Sequence, residues 1–183
     1  GLAYYRGIRP DAPDYTDVPV VVLTSPWSAS GAEMFAAAAR DHGFGISVGQ
    51  RTYGKGVAQL VLDEKNAPDL FDGDCLKVTA YRFYSPNGVT NDTMGVLPTL
   101  LISQENTEAA ARLLRAGVPG IADGSLKLEL AGHTFYLDDR QARHIDNRAA
   151  FTELLEALPP SARLSVGYSG STWTQVAPEE LAR

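Results

Sequence analysis

The six residues Val18-Pro19-Val20-Val21-Val22-Leu23 restrict the possible folds more than any other stretch of the chain. A short continuous apolar run bounded by a break reads as a fully buried strand, as found in parallel sheets covered by helices. Ser25-Pro26-Trp27-Ser28 breaks the run. Residues 31–41 are then rich in alanine (Ala32, Ala36, Ala37, Ala38, Ala39) and carry Met34 and Phe35, which predicts a helix. His42-Gly43 ends it, glycine being the usual residue just past a helix terminus. Ile46-Ser47-Val48-Gly49 predicts the next strand. Strand, helix, strand in this order implies an α/β core whose first crossover carries the helix.

Two more strands are expected at 57–62 and 76–84, the latter with Val78 and Ala80 alternating against Tyr81 and Phe83. Ser85-Pro86-Asn87-Gly88 then signals a turn. Cys75, just before the second of these strands, reads as a small buried residue. As the single cysteine it also excludes an internal disulfide framework and a cysteine metal cluster.

The texture changes near Ser103. A short helix over 108–116 leads to Gly117-Val118-Pro119-Gly120, which reads as a linker. The stretches 126–130 and 134–137 suggest a hairpin around Ala131-Gly132-His133. An amphipathic helix over 147–158 sets Phe151, Leu154, Leu155 and Leu158 on one side and stops at Pro159-Pro160. A last pair of strands is expected at 164–168 and 172–176. The chain therefore divides into residues 1–104, a helix and linker over 105–124, and a small α+β appendage over 125–183.

Its 183 residues suffice for one good core with a small appendage. A formal net charge of -6 and the lack of any Lys/Arg run argue against nucleic acid, which needs a basic face. No apolar stretch approaches the roughly 20 residues of a membrane span. Residues 1–15 lack a basic end followed by an apolar segment, so no cleavable signal is read there.

Two places could carry chemistry. Ser28-Ala29-Ser30-Gly31-Ala32-Glu33 lies where a buried strand passes into a helix. A serine there stands at the carboxyl end of a strand, and the N–H groups of the next turn, with the helix dipole, can hold an oxyanion. Ser30 as nucleophile with the Gly31 N–H as donor is one reading. Ser30 and Glu33 also form Ser-x-x-Glu, a capping box that needs no catalysis. On the hexapeptide alone both stand.

The second place is Gly54-Lys55-Gly56. Gly49 to Lys55 fits the first seven positions of a phosphate-binding loop, the alternative reading as a nucleotide binder. That loop should continue with Ser or Thr and open a helix, whereas Gly56 and a strand-like segment follow here. His42 lies twelve residues beyond Ser30 on one helix, roughly 18 Å away at about 1.5 Å per residue, too far to be its base. His133 and His144 have no partner motif, and no metal-ligand spacing occurs. A serine without histidine needs another base, and a partly desolvated, neutral lysine can serve.

Taken together, Ser28-Ala29-Ser30 with Glu33, the alanine-rich helix, Asp41-His42-Gly43, and Gly49-x-x-Thr52-Tyr53-Gly54-Lys55-Gly56-x-x-Gln59 resemble the carboxyl-terminal processing (tail-specific) peptidases. Tyr84-Ser85-Pro86-Asn87-Gly88 and Gly95-Val96-Leu97-Pro98 continue the pattern, which covers about residues 18–100. Where that family has a further serine, this chain has Ala32, next to Gly31.

The resemblance implies Ser30 as nucleophile, Lys55 as general base, Gln59 as the residue orienting Lys55, and the Gly31 N–H as an oxyanion donor. It implies an α/β fold with a mixed sheet and helices, related to crotonase-like proteins, followed by the α+β appendage. The implied function is a Ser–Lys endopeptidase acting near the carboxyl termini of protein substrates, with no cofactor and no metal, in a bacterial cell envelope or outside the cytoplasm. The family also carries an upstream PDZ domain and a Gly-Gly turn that supplies the second oxyanion donor. Residues 1–17 match neither, although residues 2–5 could form a strand, and the chain reads as the second half of a longer enzyme. A peptidase-like peptide-binding module without activity is the other alternative.

Overall fold

A computed structural model describes residues 18–116, 124–168 and 172–181. The strand expected at residues 2–5 and the linker at 117–120 lie outside them. Strand β1 (Val20–Thr24) passes through the Ser30 turn into helix α1 (Gly31–His42) and returns as β2 (Gly45–Gly49), parallel to β1. The expected crossover is therefore present. Gly43 closes α1 with φ 66°, a left-handed value that glycine adopts without strain. Ala36, Ala37 and Ala39 face inward, and their small size lets the helix lie close to the sheet.

A short strand β5 (Leu100–Leu101) pairs parallel to the other edge of β2, giving the order β1-β2-β5. The burial differs from the expectation. β2 is buried throughout, while β1, the more apolar run, is only half buried and leaves Leu23 48% exposed. β1 is an edge strand among the described residues, so its apolar run is not fully buried as expected.

β3 (Val57–Asp63) and β4 (Cys75–Arg82) form a separate antiparallel ribbon with an irregularity at Ala58/Gln59. Every residue of β4 is exposed, Cys75 included, which corrects the expectation of a buried thiol. A ribbon of two strands has no second layer to cover it.

Helix α2 (Thr107–Leu113) leads to a four-stranded antiparallel sheet of order β7-β6-β8-β9, built from β6 (Ser125–Leu130), β7 (His133–Asp138), β8 (Arg163–Tyr168) and β9 (Thr172–Val176). Ala131 and Gly132, both at positive φ, make the two-residue turn of the β6–β7 hairpin. Helices α3 (Asp139–Ala142), α4 (Arg148–Glu156) and α5 (Pro178–Leu181) complete it. One buried cluster runs from Ile46, Val48, Leu100 and Ile102 through Leu113 to Leu128, Phe135 and Leu154. The parallel sheet and the antiparallel sheet thus share an apolar core. No helix among the described residues is long and apolar enough to cross a membrane.

Candidate active site

Ser30 occupies the position before α1 with φ 57° and ψ -115°. Only three non-glycine described residues have positive φ, and Ser30 is the one at a strand-to-helix turn. Such a conformation costs about 1–3 kcal/mol and persists only where surrounding contacts impose it. Ser30 and Glu33 form a reciprocal capping box, the Ser30 side chain facing the Glu33 N–H and the Ser30 N–H donating to Glu33 Oε2 at 2.9 Å. The Glu33 N–H also donates to the Ser30 carbonyl at 3.0 Å, so the hydroxyl half of the box is the weaker one.

Glu33 does much more than cap. It is buried, 1% exposed, and its carboxylate reaches across to the loop that carries Lys55. Oε1 accepts from Thr52 Oγ1 at 2.5 Å and from the Gly54 N–H at 2.7 Å. Oε2 accepts from the Lys55 N–H at 2.8 Å, besides the Ser30 N–H. The main-chain nitrogens of Ser30 and Lys55 are therefore held on one oxygen atom. A further tie joins the Tyr53 N–H to the Ser28 carbonyl at 2.9 Å.

Burial alone would raise the Glu33 carboxyl's pKa. The Thr52 hydroxyl and the N–H groups of Gly54, Lys55 and Ser30 outweigh it, and the group titrates below its ordinary value. It is ionised at neutral pH, and four donors hold it so.

The glycines beside Lys55 have steric reasons. Gly54 has φ 95°, with the Thr93 backbone 3.0 Å from where a Cβ would stand. A Cβ on Gly56 would come within 2.5 Å of the Asp92 backbone. The loop is thus pressed between α1 and the 91–95 turn, and Thr52 Oγ1 also accepts from the Val96 N–H at 2.6 Å.

Gly31 is the first residue of α1 and exposed, and a Cβ added there would meet nothing within 4 Å. Its N–H donates to no acceptor among the described residues. Gln59 lies on β3, where Nε2 donates to Thr79 Oγ1 at 3.4 Å; among the described residues no hydrogen bond joins it to Lys55. His42 sits at the far end of α1. The 49–55 loop runs into β3 and not a helix, and it encloses a carboxylate where a phosphate loop presents donors.

At the other end of α1, Asp41 accepts from Arg40 Nε at 2.7 Å and from the Asn87 N–H at 3.1 Å, pinning the Ser85–Gly88 turn. No group of His, Cys, Asp and Glu among the described residues could hold a metal ion.

The model of peptidase family S41 matches residues 4–102. A chloroplastic C-terminal processing peptidase of Tetradesmus obliquus is 38% identical over 87 residues, 48% of this chain and 18% of that protein. The carboxy-terminal processing protease CtpB of Bacillus subtilis is 35% identical over 95 residues, 52% of this chain and 18% of its own length. A solved structure, the photosystem II D1 C-terminal processing protease, is 35% identical and aligns with 46% of this chain and 20% of its own at a TM-score of 0.41. These alignments span about a fifth of each relative.

Proposed function

The chain belongs to peptidase family S41, and on that premise we propose that Ser30 and Lys55 form the dyad of a serine endopeptidase that cleaves proteins near their carboxyl termini. One observation carries the reading: a single buried oxygen, Glu33 Oε2, takes the N–H of both Ser30 and Lys55. An ordinary helix cap needs only the first of these bonds.

In this reading Lys55 Nζ, as the neutral amine, takes the proton of Ser30 Oγ while Oγ adds to the substrate carbonyl carbon. The Gly31 N–H at the start of α1 receives the developing oxyanion. Collapse breaks the C–N bond, the leaving amine takes the proton from Lys55, and an ester on Ser30 remains. Water then adds to the ester as Lys55 removes its proton, and that proton returns to Ser30 Oγ on release of the new carboxyl terminus. Gln59 orients Lys55 by leaving its long contact with Thr79. Exposed Trp27 and Tyr53, at 82% and 65%, flank the two catalytic segments and offer apolar surface to an extended peptide.

Residues 1–104 form the catalytic part in this reading, with a crotonase-like core. Residues 105–124 connect it to an α+β appendage over 125–183. An upstream half of the same polypeptide brings a PDZ domain and the second oxyanion donor. The cell envelope of a bacterium suits such an enzyme; the relatives named above include a bacterial and a chloroplastic protein.

The test is a fluorophosphonate probe followed by mapping of the modified residue. The expected result is a single adduct on Ser30, lost in Ser30→Ala and strongly slowed in Lys55→Ala. A folded protein that takes no label, yet binds peptides, would instead be a peptide-binding module.

A further inference from the structure

The region after residue 103 contributes nothing to the motifs above, yet it is tied to the catalytic loop through a continuous set of side chains. α4 supplies Glu153, whose carboxylate accepts from the Ser103 N–H at 2.9 Å, Ser103 Oγ at 2.8 Å and Asn106 Nδ2 at 2.9 Å. Burial alone would raise this carboxyl's pKa, and the Ser103 and Asn106 donors bring it below the ordinary value. The turn it holds opens α2 at Thr107. Thr107 Oγ1 donates to the Ser103 carbonyl at 2.8 Å, and a Cβ on Gly49 would stand 3.2 Å from its methyl group.

Gln50 receives this turn. Its Nε2 donates to the Ile102 carbonyl at 2.6 Å and to Thr107 Oγ1 at 2.9 Å. Its main chain is fixed on the opposite side, with its N–H donating to the Thr24 carbonyl and its carbonyl accepting from Thr24 Oγ1. Gln50 is the first residue beyond β2, two before Thr52, which bonds Glu33, and five before Lys55. The point where the base-bearing loop leaves the sheet is thus clamped between β1 and the α2–α4 unit.

We propose that Gln50 and Glu153 are positioning residues for Lys55, through which the 103–181 region sets the placement of the base relative to Ser30. The inference rests on the Ser–Lys reading. A misplacement of about 1 Å at a reacting group can cost about a hundredfold in rate, so a remote clamp of this kind acts on kcat.

The experiment compares Gln50→Ala and Glu153→Gln with Val166→Ala, which thins the core of the same region without touching the clamp. In the full-length protein, kcat and KM are measured on a peptide, together with amide exchange at residues 52–55 well below the melting temperature. Each clamp variant is expected to lower kcat by about tenfold or more with KM within about twofold. Amide exchange at 52–55 should quicken by about tenfold or more. Val166→Ala should leave both within about twofold. Unchanged kcat and exchange in both clamp variants would overturn the inference, as would equal effects from Val166→Ala. Ser30→Ala is assayed alongside: if it still hydrolyses peptide, the Ser–Lys reading falls, and the exchange rates alone then decide whether the clamp exists.

Discussion

Residues 18–102 and residues 103–181 are held together by different means. The later region relies on apolar packing, with Leu126, Leu128, Leu130, Phe135, Leu137 and Leu154 almost wholly buried. Among the described residues the earlier one contributes Ile46, Val48, Leu100 and Ile102 to that core, with Val21 half-buried against it, plus a small cluster of Ala36, Ala37 and Val96. Among the described residues, all the exposed large hydrophobic side chains except Ile145 and Tyr168 lie between Val18 and Leu101. What fixes the site-bearing part is a buried carboxylate receiving main-chain donors. Directional bonds set the mutual placement of two loops more narrowly than non-directional packing does, and catalysis needs such placement.

Glu33→Ala should have the largest effect. It leaves three N–H groups and the Thr52 hydroxyl without their acceptor, at about 3–5 kcal/mol by denaturant unfolding, with loss of nearly all hydrolysis. A cost under about 1 kcal/mol would break the contrast between the two regions. Glu33→Gln sharpens it through pH. The folded carboxyl titrates below its ordinary value, so its stabilisation is full above that value and fades as pH falls through the lowered one. The stability gap between wild type and Glu33→Gln should therefore be wide near neutral pH and narrow as the pH falls below the ordinary carboxylate range.

Leu128→Ala, in the apolar region, should cost about 2–5 kcal/mol, while Leu60→Ala or Leu76→Ala on the exposed ribbon should stay within about 0.5 kcal/mol. Similar losses at Leu60 and Leu128 would mean that the ribbon is covered. Ser30→Gly should be the smallest change, neutral or slightly stabilising. Glycine adopts φ 57° freely, which offsets the loss of a weak capping hydroxyl whose Glu33 N–H partner also has the Ser30 carbonyl. A loss above about 1 kcal/mol would mean that the hydroxyl is the stronger half of the capping box.

Much of this was legible in the sequence, for physical reasons that differ by residue. The order of Ser30, Glu33, Thr52, Gly54 and Lys55 along the chain marks the candidate site, and the alanine run and Gly43 mark α1 and its end. Glu33 was legible only as a capping residue. Its bonds to Thr52 and Lys55 cross 19 and 22 residues, and no local periodicity encodes such a reach. The Gln50–Thr107 and Glu153–Ser103 bonds were hidden for the same cause. β1 and Cys75 are more exposed than their residue types suggest, because burial depends on which surfaces meet and apolar content records only which surfaces could.

The account depends most directly on Ser30 and Lys55 acting as one unit, which a double-mutant cycle on kcat/KM measures. Ser30→Ala and Lys55→Ala should each lower kcat/KM by about a thousandfold or more, and the double variant should be little worse than either, since one proton-transfer step is lost in each case. Substantial turnover by either single variant, or losses that multiply in the double, would contradict it.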